Sequence, residues 1–445
     1  MNNPLVIENT TILTMNETRE VKENSSVAIS GNQIAAIGFT DEIRAKFLGA
    51  KFISGKGKVV MPGLINCHTH IAMSLQKGIT MAVPDGLYRV MWPVEKALTP
   101  EDNYTGALIG GAEALLGGST TIVDHYFHME EITRATLQLG LRGALGHTIM
   151  SRLGPVTGES ELREGIDFAR RWKGKHELVI PVLAPHASDT VAPEWLKELR
   201  EIATNEGFRL HLHLAQSQRE LDYIREQHGM GCVEYLDDIG FLGEDVLAAH
   251  CIHVDDHELD ILARSGAHPV YCPMGHSLGG KPMRAWELLQ RSAGVLIGTD
   301  CVTSNNVMDL TGELHIAGAA QKQMTGDRTA LPSMKILEMV TVDAAKAIGM
   351  EGKLGSLAPG YLADLVMLDF SGLHSAPNYS LVDNIIYTCT GRDVETVIVN
   401  GQVVVERGKL QTANEDELVE LAESTGRRLI QRAVDQDPEL AWLWK

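Results

Sequence analysis

The chain has 445 residues, 44% of them hydrophobic, with 58 acidic against 39 basic side chains and a formal net charge of −19. That length allows one large core and a smaller second unit, while the charge repels phosphate backbones and anionic bilayers with no basic patch to offset it, which excludes nucleic acid as the expected partner. No apolar run reaches the ~18 to 20 residues of a membrane span, the first residues lack a secretory pattern, and the six cysteines are scattered without CxxC spacing, so a reducing cytoplasm is expected.

Residues 4–60 hold short alternating stretches, LVIENTTILT and SSVAISGNQIAAIG, separated by Asn and Gly turn signals, and these read as antiparallel strands of residues 1–60. Over residues 61–350, β-rich runs (TTIVDHY, LVIPVLAPHA, RLHLHLAQS, VLAAHCIHV, HPVYCPM, GVLIGTD) alternate with segments of helical period such as PEWLKELREIATNEG and HELDILARSG. That alternation predicts an α/β fold, a (β/α)8 barrel of TIM type, with polar residues gathered where the strands end, the face on which such barrels carry their chemistry. Strand-like material returns over 351–412 as YLADLVMLD and VETVIVNGQVVVERG, the latter a hairpin turning at Asn400-Gly401. The two flanks are expected to pair into one small β-sandwich, followed over 413–445 by an amphipathic helix beginning at Glu415.

The stretch VVMPGLINCHTH ends an apolar strand in His68-x-His70. Residues two apart share a strand face, so both imidazoles can reach into a barrel mouth and share a cation, although two such histidines can equally face solvent. His211-Leu-His213 repeats the form, AAHC sets His250 after small apolar residues, and GVLIGTD ends on Asp300. Their common place at strand ends suits a borderline divalent ion such as Zn²⁺ with positions left for water. Such an ion lowers the pKa of its water towards ~7. Asp300 can then accept a proton during attack on an electron-poor ring carbon, and His250 can stabilise the oxyanion or the incoming oxygen.

Together with WPVEKALTPED (92–102), APHASDT (184–190), AAHCIH (248–253), GTDCVTSNN (298–306) and LGSLAPGYLADLVMLD, these stretches resemble the amidohydrolase superfamily over nearly the whole chain. The branch is that of aminohydrolases and chlorohydrolases of nitrogen heterocycles, and the closest pattern is that of S-adenosylhomocysteine and 5′-methylthioadenosine deaminases. The resemblance implies one divalent ion per chain, Zn²⁺ with Fe²⁺ as the alternative, held by His68, His70, His213 and Asp300. It implies His250 beside the reacting water, His186 and Glu95 against the substrate with Glu95 accepting ribose hydroxyls, a small-molecule heterocycle as the partner, and a homo-oligomer. His211 falls outside that ligand set, as a histidine packed or hydrogen-bonded at the strand end.

One letter departs from the pattern. Related deaminases carry a glutamate acid three residues after the strand-end ligand, and here the position is Gln216. An amide donates a hydrogen bond but cannot transfer a proton, and general acid catalysis is typically worth ~10² to 10⁴ in rate. Asp300 could return the proton taken from water, the substrate could carry a better leaving group, or the chain could bind metal and ligand without turnover. CPMGHSLGGKPM (272–283) stands where relatives carry a Ser-Asn-x-Lys-Leu pattern, so His276 and Met274 are candidate pocket residues, the alternative being an ordinary loop turning at Gly279-Gly280. Ser304 is a further candidate for substrate contact. Asp189 either meets substrate or caps the helix near Pro193, His125 and His128 either line the pocket or are structural, and Cys301 is expected to pack rather than act as a nucleophile. The expectation is a metal-dependent hydrolytic deaminase of an adenosine-type or related purine or pterin ring. The alternatives are a chloro- or alkylamino-triazine hydrolase with the same site and a metal- and ligand-binding paralogue with little catalysis.

Overall fold

The structure is a computed structural model and describes residues 3–81 and 83–444. Five strands come first: β1 (Leu5–Leu13), β2 (Val21–Ser30), β3 (Gln33–Phe39), β4 (Lys51–Ser54) and β5 (Lys58–Pro62). Eight more run in parallel and in sequence order round a barrel: β6 (Leu64–Thr69), β7 (Ser119–Tyr126), β8 (Arg142–Ile149), β9 (Val179–Pro185), β10 (Arg209–Leu214), β11 (Val246–His250), β12 (His268–Tyr271) and β13 (Leu296–Ile297). The gap between the first and last barrel strands is bridged where Asp300 N donates to His68 O at 2.9 Å. Gly298 permits that approach, since a Cβ there would stand 2.6 Å from His68 N.

Strands buried on both faces favour apolar or small residues, and β7 and β8 are buried at every position, with Asp124, His125, Arg142 and His147 among the polar exceptions. The barrel interior is filled by alternating residues, including Ile65, Cys67, Val123, Val182, Leu247, Ala249, Val270 and Leu296, with Ala344, Ala345, Ala347 and Ile348 in the same cluster. Helices on the outside bury their apolar stripes against the strands, as helix Pro193–Glu206 does with Leu196, Leu199 and Ala203.

After the barrel come β14 (Leu365–Asp369), β15 (Val394–Val399), β16 (Gln402–Glu406) and β17 (Lys409–Leu410). They continue the amino-terminal strands in one nine-stranded mixed sheet, ordered β17-β16-β15-β14-β5-β1-β2-β3 with β4 beside β1. The join is antiparallel pairing of β14 with β5. The β15–β16 hairpin turns at Asn400 (φ 51°) and Gly401 (φ 76°), the two positive angles that a tight two-residue turn requires. Ile7, Ile12, Val27, Ile29, Val60, Leu365, Met367 and Ile398, drawn from both flanks, share one apolar cluster.

Two links tie the parts together. Arg142, which opens β8, is fully buried and grips both oxygens of Asp364 at 2.8 and 2.9 Å, while Asp364 Oδ1 also accepts from Asn400 N at 2.8 Å. Helix Glu415–Gln436 begins on an Asn414 cap and packs Leu429 and Ala433 with Val90, Val94 and Ala97, so it buttresses the segment that carries Glu95. Among the described residues no helix is long and apolar enough to cross a membrane.

Candidate metal centre and active site

The polar strand ends converge at the carboxyl mouth of the barrel. His70 Nε2 and His213 Nε2 are 3.2 Å apart, and Asp300 Oδ1 lies 3.5 Å from His68 Nε2 and 3.7 Å from His70 Nε2. Ligand atoms held tetrahedrally at ~2.0–2.2 Å from one ion stand about 3.4 Å apart, so these spacings fit a shared cation. The other ring nitrogens are already engaged. His70 Nδ1 donates to His125 O at 2.7 Å and His213 Nδ1 to His186 O at 2.9 Å, which leaves both Nε2 lone pairs turned inward. His68 Nδ1 meets His211 Nε2 at 2.9 Å, and His68 Nε2 is buried without a hydrogen-bond partner, a cost that a bound cation removes.

The electrostatics agree with this donor set. Burial drives the His68 imidazole down to about 3 and, with the neighbouring imidazoles, holds His213 well below its ordinary range, so both are neutral, the form that ligates a metal. Burial pushes the Asp300 carboxyl up, but the close His68 imidazole and the His250 and His70 rings outweigh it and hold the group well below the usual carboxylate range. Asp300 (φ 62°), His250 (φ 80°) and Cys251 (φ 45°) adopt left-handed backbone that non-glycine residues rarely take, and such strain concentrates at functional sites.

A cavity of about 470 Å³ opens over the cluster, lined in part by His70, His213, His250 and Asp300, with His68 buried behind them. Glu95, His186, Gln216, His276 and Ser304 all face it. Glu95 accepts from Tyr126 Oη at 2.5 Å, and burial raises its carboxyl to about 7 against that hydrogen bond. Tyr88 and Trp92 form an edge-on pair on the outer wall, ring centroids 4.9 Å apart.

Gln216 is aimed into the cavity by a fixed backbone. Glu220 receives Gln216 N at 2.8 Å, Ala215 N at 3.1 Å and Ser188 Oγ at 2.7 Å, while Ser217 caps helix Gln218–His228. The carboxyl groups lining the cavity are Asp85, Glu95 and Asp300.

Other candidates fall elsewhere. Asp189 caps nothing, because the helix at Pro193 starts from Ala192 with no side-chain bond, and it lies outside the cavity lining. His128 opens helix Met129–Leu139 away from the cluster, and Met274 is held through its N–H by Glu313 at 2.8 Å. Cys301 is buried with its thiol at hydrogen-bond distance from Thr303 and Ser304. His125, a residue without an assigned role in the sequence, brings a ring nitrogen within 4.8 Å of the His68, His70 and His213 donors. Glu220, which fixes the Gln216 backbone, had a readable signal in the helix-start pattern Ser217-x-x-Glu220.

Neutral imidazoles and an ionised carboxylate gathered under an open cavity at the carboxyl mouth of a β/α barrel mark the class of hydrolases that activate water on a divalent cation. Within that class the chain belongs to the amidohydrolase family, whose model matches residues 59–404. It is 35% identical over 433 residues to the 5-methylthioadenosine/S-adenosylhomocysteine deaminase of Pelotomaculum thermopropionicum, covering 96% of this chain and 99% of the relative. It is 34% identical over 432 residues to the 5′-deoxyadenosine deaminase of Methanosarcina mazei, covering 96% and 99%. Among solved structures, an adenosine deaminase from Xanthomonas campestris with bound zinc superposes with a TM-score of 0.92 at 28% identity, covering 96% of this chain and 98% of that one.

Proposed function

We propose that the protein is a hydrolytic deaminase of an adenosine-type nucleoside, working with one zinc ion held by His68, His70, His213 and Asp300. The carrying observation is the approach of the three Nε2 atoms and Asp300 Oδ1 at 3.2 to 3.7 Å beneath an open cavity. The relatives named for 5′-modified adenosines support the substrate class. A divalent ion in that donor set supplies a water whose pKa falls towards ~7.

Asp300 accepts the proton of the attacking water, and His250 holds the attacking oxygen against the ring carbon. Gln216 donates an amide N–H to the adjacent ring nitrogen without transferring a proton. Asp300 therefore carries its proton to the departing amine: the new C–O bond forms, the C–N bond breaks, and ammonia leaves. Glu95 accepts from the ribose hydroxyls, and His186 and Ser304, which line the same cavity, contact the substrate. The six cysteines are unpaired and buried, which suits a reducing cytoplasm.

A second reading keeps the same site with chloride or an alkylamine leaving from a triazine, and it is favoured by one observation, the amide in place of an acid at Gln216. The test is a substrate panel in which ammonia, chloride and alkylamine release are measured on protein of known metal content. Ammonia from 5′-methylthioadenosine or 5′-deoxyadenosine supports the proposal; metal-loaded protein that releases none of the three products overturns both readings.

A further inference from the structure

Helix Pro273–Leu278 follows β12 and sets His276 against His250. His250 Nδ1 and His276 Nε2 are 3.1 Å apart, both rings are buried, and both border the cavity. One proton lies between the two imidazoles, and its owner decides what His250 offers to the substrate. If His250 donates, its Nε2 is a bare lone pair, and His276 must keep its own proton on Nδ1. If His276 donates, His276 Nδ1 is bare and His250 carries its proton on Nε2.

One feature selects the second arrangement. His276 Nδ1 is buried with no partner, and a buried N–H left unpaired is costly. Cys272, whose Sγ belongs to a cluster of donors within 4.8 Å of one another with His250 and His276, offers no good acceptor either: burial pushes that thiol well above its usual range, and an S–H accepts poorly from an N–H. On the far side a His250 ring nitrogen stands within 4.8 Å of His68 and the Asp300 carboxylate. With His250 Nδ1 turned to His276, Nε2 is the His250 nitrogen left to face the attacking oxygen. The His68–His211 pair would run the other way, since a cation held by His68 Nε2 would offset the N–H left unpartnered at His211 Nδ1.

We propose that His276 is a positioning residue that fixes His250 as the Nε2–H tautomer, so that His250 donates a hydrogen bond to the attacking oxygen and does not serve as a base. This rests on the hydrolytic reading above. With Gln216 also a donor that cannot release its proton, Asp300 is the one group at the reacting carbon that moves protons.

Nitrogen-15 NMR of the zinc-loaded protein without substrate reads the tautomers directly, with both His250 and His276 expected to be protonated at Nε2. In kinetics, His276→Leu removes the donor and is expected to lower kcat ~10- to 100-fold with KM and metal content unchanged, while His276→Gln, which restores an N–H near the Nε2 position, recovers most of the loss. A proton on His276 Nδ1 overturns the proposal. So do equal losses in both variants, an unchanged kcat in His276→Leu, or two metal ions per chain of which His276→Leu loses one. The NMR result decides even if the leucine variant fails to fold. Because it needs no turnover, it separates failure of this proposal from failure of the hydrolytic reading.

Discussion

Replacing Gln216 with glutamate exchanges one terminal nitrogen for oxygen and leaves the local backbone its anchors. Gln216 N and Ala215 N both donate to Glu220, at 2.8 and 3.1 Å, and the Ser217 cap is formed through Glu220 N at 3.1 Å. The new carboxyl would be half-buried in the cavity beside His213, where loss of water favours its protonated form and equips it to donate near neutral pH. A positioned general acid is worth ~10² to 10⁴ in rate, about 2.7 to 5.5 kcal/mol from the barrier. Gln216→Glu is therefore expected to raise kcat/KM for ammonia release from 5′-methylthioadenosine by ~10² or more. The rate should acquire a limb that declines at high pH, where the new acid loses its proton. The assay follows ammonia release and adenine absorbance across pH with zinc measured on the same samples. An unchanged or lower kcat/KM with metal and fold intact would refute the reasoning that a missing proton donor limits turnover of aminopurines.

His68→Ala and Asp300→Ala are each expected to abolish both metal retention and activity, and full turnover in either variant would overturn the assigned site. The carboxyl of Glu95 is raised by burial from 4.5 to about 7. It therefore contributes stability that is complete below the lower value and lost as pH rises through about 7, and Glu95→Gln should flatten that part of the Tm–pH curve. If the ionised group also accepts ribose hydroxyls, KM for nucleosides falls as pH rises through the same interval, and a KM insensitive to pH argues against that role. Arg142→Met leaves Asp364 charged and buried, so a loss of about 3 to 5 kcal/mol is expected from urea denaturation; a loss under ~1 kcal/mol would mean the pair is not what holds barrel and sheet together.

The donors of the candidate metal centre were legible because metal chemistry restricts them to a few residue types and the alternation of strand and helix marks where strands end. The Asn400-Gly401 hairpin was legible for a similar reason, since few residues accept two successive positive φ angles. The partners of those donors were not legible. That His70 leans on the His125 carbonyl follows from the register of neighbouring strands, whereas His68 meets His211 across the barrel from β6 to β10 and His250 meets His276 on the helix after β12. Pairing of β10 with β11, with His213 opposite Ala249, stacks the His213 and His250 rings 5.2 Å apart at an interplanar angle of 12°. Asp189 misled for a local reason: the N-cap position of that helix is Ala192, three residues further on, so Asp189 stands outside the position from which a side chain caps the first turn.

The antiparallel join of β14 to β5 has a consequence for biosynthesis. Leu365 pairs with Pro62 and Asp369 with Lys58, so roughly 300 residues must be translated between the two strands. At ~5–20 residues per second the first strands wait about 15 to 60 s with one edge of β5 unpaired. Through that interval the nascent chain presents a sticky β-edge while the barrel is still being made. β14 closes it only once the barrel sequence has been made, so truncation before Leu365 should leave an aggregation-prone edge exposed on β5.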